Sequence, residues 1–119
     1  GDVYKRQHLE HLEAESNLVV PPVGACDLAM CYTGRAMGNI VPPGTVVLLK
    51  AVDRDAIIPG GEYVIVCRKI VTLRIVRLAD GEDKLRLVAG DRENYDDIIL
   101  NVSDISSVYK VKGKLIINS

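Results

Sequence analysis

The sequence predicts a mostly β fold, a compact domain of short strands with little helix. Three observations lead there. From Leu18 onward, short runs rich in Val, Ile and Leu are cut at close intervals by Pro, Gly and Asp, the pattern of strands punctuated by turns. No stretch carries the apolar repeat of a long amphipathic helix. Residues 84–89 alternate, with Leu85, Leu87 and Ala89 on one face and Lys84, Arg86 and Val88 on the other, because successive side chains of a strand point to opposite sides.

The elements follow in order. Residues 1–7 (Gly-Asp-Val-Tyr-Lys-Arg-Gln) resemble a cloning and sequencing-adapter remnant and are set aside. Residues 8–17 read as a linker remnant, and residues 18–119 as the domain. Residues 18–20 form a short strand stopped by Pro21 and Pro22. Residues 27–33 alternate weakly and form the next strand, and residues 34–43 make a turn or a short helical turn. Thr45 to Val52 is a strongly apolar strand, followed by a charged loop at Asp53 to Asp55 and a turn at Pro59, Gly60 and Gly61. Residues 62–69 and 71–78 read as a strand pair, and Asp80-Gly81 is a turn signal before the strand at 84–89. A polar loop spans 90–97, and strands at 98–102 and 107–118 complete the chain.

Composition narrows the function. The 119 residues suffice for one domain with a single core, built from Val, Ile, Leu and Tyr because Trp and Phe are absent. A formal net charge of -1 provides no basic field for phosphates, which argues against direct nucleic-acid binding. No apolar run approaches the roughly 20 residues that span a bilayer, and no secretory signal opens the sequence. Cys26, Cys31 and Cys67 form neither a zinc-ligand pattern nor a disulfide framework, and read as reduced thiols of a cytoplasmic protein. His8 and His11 stand among Glu10, Glu13 and Glu15, a solvated segment with no third His to complete a metal site. The acidic stretch at 91–97 lacks the central Gly and terminal Glu of a calcium loop. Ser103, Ser106 and Ser107 lie near Asp104, with no His nearby in sequence. No cofactor or metal is expected.

Thr33-Gly34-Arg35-Ala36-Met37, then Pro43-Gly44-Thr45-Val46-Val47, then Gly61-Glu62-Tyr63-Val64-Ile65-Val66, then Val71-Thr72-Leu73-Arg74 stand in that order along the chain. Together with the segment from Leu87 to Ile98 they resemble the C-terminal peptidase domain of the LexA-like and phage-repressor family of self-cleaving proteins. The resemblance covers about residues 18–118 and implies a LexA C-terminal-like β-ribbon domain. In active members a Ser hydroxyl attacks a peptide bond and a buried, neutral Lys takes its proton. Here the Ser position holds Ala36, which has no nucleophilic atom, and the Lys position holds Arg74, whose guanidinium stays protonated. The resemblance therefore implies a proteolytically inactive member.

What that leaves is assembly. The family domain follows a helix-turn-helix domain and dimerises through C-terminal strands. The chain is thus expected to be a dimerisation and regulatory domain of a transcriptional regulator. It would be a homodimer that reaches DNA only through an upstream domain missing from this sequence. The expected dimer strand contains Val108, Tyr109, Val111, Leu115 and Ile117, a long apolar edge that a partner covers. The same run reads equally as an ordinary core strand guarded by Lys110, Lys112 and Lys114. Two alternatives stay open: a Ser-Lys type peptidase with a relocated site, with Lys69 a possible stand-in base, and an unrelated small β binding module.

Overall fold

A computed structural model describes residues 26–68 and 70–116. The strand expected at 18–20, the His and Glu residues of 8–15, Lys69 and Ile117 lie outside these residues. Seven strands form one antiparallel sheet in the order β1-β2-β7-β3-β4-β5-β6. They are β1 (Leu28–Tyr32), β2 (Thr45–Val52), β3 (Glu62–Cys67), β4 (Ile70–Leu78), β5 (Lys84–Val88), β6 (Ile98–Asn101) and β7 (Ile105–Leu115). Two single 3-10 turns, Arg54–Ala56 and Val102–Asp104, are the helical content among the described residues. The mostly β expectation holds, and each strand falls within two residues of its expected start. Residues 34–43 make turns rather than a helix.

The sheet is curled, so its middle strands are buried on both faces. On β3, Val64 joins a cluster with Met37, Val41, Leu49 and Leu73. Its neighbours Tyr63 and Ile65 point the other way, into a cluster with Val76, Leu87 and Val108. β2 behaves alike: Val47 and Leu49 enter the first cluster, while Val46 and Leu48 pack with Ala29 and Leu115. This double burial explains why β2 and β3 read as unbroken apolar runs rather than as alternation. On β5, Val88 departs from the simple alternation: it is buried as well, opposite Ile75 of β4.

The curl has a cause in β7. Its pairing with β2 steps from Leu48↔Gly113 to Leu49↔Val111, so Lys112 is an extra residue. Its pairing with β3 steps from Val66↔Ser107 to Cys67↔Ile105, so Ser106 is another. Each bulge adds twist and reverses which face the following residues meet. Val111 therefore packs in the cluster around Leu49, while Leu115 packs with Val46 and Leu48 on the opposite side. Likewise Ile105 and Val108, three residues apart, reach the same cluster. Tyr63 completes this interior: its hydroxyl accepts the Ile58 N–H at 2.9 Å, and the Lys110 ammonium lies 5.6 Å from its ring centroid, where a cation is attracted to the ring face.

Candidate functional site

The segment between β1 and β2 is fixed by close contacts. Met37 is wholly buried, and Ala36 is 4% exposed. The Ala36 carbonyl accepts the Asp91 N–H at 2.9 Å, and the Tyr32 carbonyl accepts the Gly44 N–H at 2.7 Å. Thr45 Oγ1 donates to the Pro42 carbonyl at 2.6 Å and closes the turn. Two glycines stand in tight space, one against a side chain and one against backbone. A Cβ on Gly34 would stand 2.7 Å from the Tyr32 hydroxyl oxygen, and a Cβ on Gly90 would collide with the Met37 carbonyl. Gly34 is therefore a packing glycine over the Tyr32 ring.

This segment forms one wall of a cleft of about 430 Å³. Residues 30–36 line one side, residues 71–74 the other, and Tyr95 contributes from the polar loop. The sheet places Ala36 and Arg74, far apart in sequence, on one cleft. Consecutive strand residues point to alternate faces, so a sheet face contributes every second residue. An unbroken run is lined instead by a strand's edge. The pairing agrees. β1 is the outermost strand, paired with β2 alone. β4 is paired with β3 along Ile70–Ile75, whereas its pairing with β5 begins only at Ile75. Among the described residues, the cleft sides of β1 and of residues 70–74 thus have no strand partner.

The electrostatics of the cleft are one-sided. Its lining holds two arginines, Arg35 and Arg74, and no carboxylate. Arg74 Nη1 donates to the carbonyl of Leu73 at 2.8 Å, while Arg74 Nε is buried with no partner among the described residues. No described carboxylate forms an ion pair with either arginine. The Tyr32 hydroxyl, beneath Gly34, also has no hydrogen-bond partner among the described residues. Buried polar groups are ordinarily satisfied, and an orphan next to a cavity asks for a ligand or water. As chemistry, the site has no nucleophile at Ala36. Cys31 also lines it, but no His or carboxylate in the lining could activate the thiol.

The expected dimer strand stands differently from its reading as a long edge. Val108 and Tyr109 are paired on both sides, with β2 and with β3. The pairing with β3 ends at Tyr63↔Lys110, whereas that with β2 continues to Val46↔Leu115. Among the described residues, β7 is paired on one side alone at two ends: residues 105–107 with β3, and residues 111–115, which fall within the expected edge, with β2. The long apolar edge is thus shortened to half the strand, because β3 starts at Glu62 and occupies the rest. Over that half, Lys114 Nζ lies 2.8 Å from Glu62 Oε1 and 3.1 Å from Oε2, and 3.3 Å from the Ile40 carbonyl. Leu115 is buried and Ile116 is half exposed.

The remaining sequence candidates are structural. Asp97 pairs with Arg86 at 3.2 Å and Arg92 at 3.6 Å, and Asp91 accepts from Asn94. The polar loop is therefore braced internally. Asp104 pairs with Arg68 at 3.7 Å, beside exposed Ser103 and Ser106. Among the described residues no cluster of three His, Cys, Asp or Glu could hold a metal, and no helix is long and apolar enough to cross a membrane. A larger cavity, about 610 Å³, opens among Asp53, Asp55, Glu82 and Asp83. Its carboxylates are exposed to solvent, and its Arg54 is spent on the carbonyls of Val102 and Ile105. The smaller cleft, with its orphan polar atoms, is the better candidate. Sequence reading missed Tyr32, Tyr95 and Arg35 as members; the tyrosines carry no local motif that marks them.

Comparison with known proteins yields no family model that matches the chain and no significantly similar curated protein.

Proposed function

We propose that this domain is the dimerisation and regulatory part of a LexA-like or phage-type transcriptional regulator, and that it has no peptidase activity. The observation that carries the reading is that Ala36 and Arg74 both line one cleft. Two positions nearly forty residues apart, singled out by the resemblance alone, line the same small space. A shared cleft is what a former dyad requires. What stands there lacks the chemistry of a Ser-Lys dyad: a methyl group is no nucleophile, and a guanidinium is not the neutral amine that takes the hydroxyl proton.

Self-association is assigned to the one-sided half of β7, residues 111–115. A second copy running antiparallel would satisfy the free backbone groups there, as a partner does at any open strand edge. Dimerisation would hold two DNA-binding heads at high effective concentration over two half-sites. Sedimentation at high micromolar concentration tests this directly. A dimer is expected, and a monomer across that range contradicts the assignment.

The runner-up is a Ser-Lys type peptidase with a displaced site, supported by the cleft itself and by Ser103, Ser106 and Ser107 elsewhere on the surface. Incubation at alkaline pH separates the two. The chain is expected to stay intact as judged by mass spectrometry. Discrete fragments that appear without added protease would instead establish the enzyme. The reading as an unrelated binding module predicts neither fragments nor a dimer.

A further inference from the structure

We propose that the cleft between β1 and β4 receives an extended polypeptide segment bearing a carboxylate side chain. The segment would add as a strand to the open edges, and its carboxylate would pair with Arg35 and Arg74. The inference rests on the cleft's geometry and is independent of whether the domain self-associates.

Three observations converge on this ligand. The first is the double edge. Residues 30–32 of β1 and residues 71–74 of β4 face one space, and neither has a strand partner on that side among the described residues. Open edges offer rows of N–H and C=O groups, and an extended peptide is the ligand whose own groups match that spacing. The second is charge. Two arginines and no carboxylate line the cleft, and neither arginine has an acidic partner among the described residues. A planar guanidinium matches a carboxylate in a bidentate geometry that a lysine cannot offer. The third is lost satisfaction. Arg74 Nε and the Tyr32 hydroxyl are buried with no partner among the described residues, so an acceptor entering beside them would be compensated at once.

The apolar rim fits the same occupant. Ile70 is 64% exposed and Val71 54%, on the strand that flanks the slot. A strand with apolar residues on either side of its acidic one would cover them. Nucleic acid is a poorer match, because a net charge of -1 leaves no wider basic surface to follow a phosphate chain.

The test uses the full chain, labelled with nitrogen-15, and the blocked peptide acetyl-Thr-Val-Glu-Val-Thr-amide. Its controls are the peptide with Gln in place of Glu, the Glu peptide N-methylated at alternate amides, and free glutarate. Amide shifts of residues 30–35 and 71–74 should move with the Glu peptide, which should bind about tenfold more tightly than the Gln peptide, as a single well-placed charge pair allows. Arg74→Gln, or Arg35→Gln at an exposed position where folding is not at stake, should erase that preference, and Arg74→Lys should restore part of it. N-methylation should abolish binding. Equal affinity for the Glu and Gln peptides, or no shift in those residues up to millimolar peptide, overturns the proposal. Glutarate bound as tightly as the peptide, or N-methylated peptide bound as well as the parent, would also overturn it, since strand pairing would then contribute nothing.

Discussion

At the scale of single residues, the cleft depends on backbone contacts that no side chain can replace. Gly90 lies so close to Met37 that a Cβ there would stand 2.7 Å from the Met37 carbonyl carbon and closer still to its oxygen. The obstacle is backbone, and that backbone is held by the Asp91 to Ala36 hydrogen bond at 2.9 Å. Gly90→Ala should therefore destabilise the domain by about 3 kcal/mol, at the upper end for overpacking, and loosen the wall of the cleft. Denaturant unfolding checks it: a loss of unfolding free energy under about 1 kcal/mol, below the range for overpacking, would show that the loop can yield. The residue scale is also where sequence reading reached furthest and stopped shortest. Gly34, Ala36 and Arg74 stand out only because their segments resemble those of the LexA-like family. Tyr32 and Tyr95 do not, since a tyrosine that lines a cleft is indistinguishable in sequence from one in the core.

At the scale of elements, strand positions were legible and strand neighbours were not. The runs at β2 and β3 are apolar on both faces, and turn residues bound them, so composition alone marks them. That β7 lies between β2 and β3 is a fact of long-range pairing, which leaves no local trace. The two bulges are equally silent, because one extra residue changes neither composition nor length noticeably. Their effect is large all the same. With Lys112 removed, Gly113 and Leu115 would turn to the opposite face, and Leu115 would leave its place beside Val46 and Leu48. Deleting Lys112 should cost about 2 to 3 kcal/mol, the value of burying one leucine side chain, where its substitution by Ala at this exposed position should cost little. Equal stability of the deletion and the Ala variant, by thermal unfolding, would mean that the strand can re-register without loss.

At the scale of the whole molecule, the curled sheet explains both candidate surfaces at once. Curling brings the outer strand β1 round to the start of β4, which opens the cleft. β3 ends its pairing at Lys110, so residues 111–115 of β7 have no strand partner on that side among the described residues. Neither feature belongs to any one segment, which explains why the sequence suggested a long dimer edge where the fold leaves half of one. On the proposed reading, the cleft holds Ala36 and Arg74 where a Ser-Lys peptidase would need its dyad, and the open half-strand is where a second copy would join. The account's central claim is that this domain works by association. Sedimentation equilibrium at high micromolar concentration, near neutral pH, tests it most directly. The account predicts a mass twice that of the 13.0 kDa chain, and a single-chain mass across the range would contradict it.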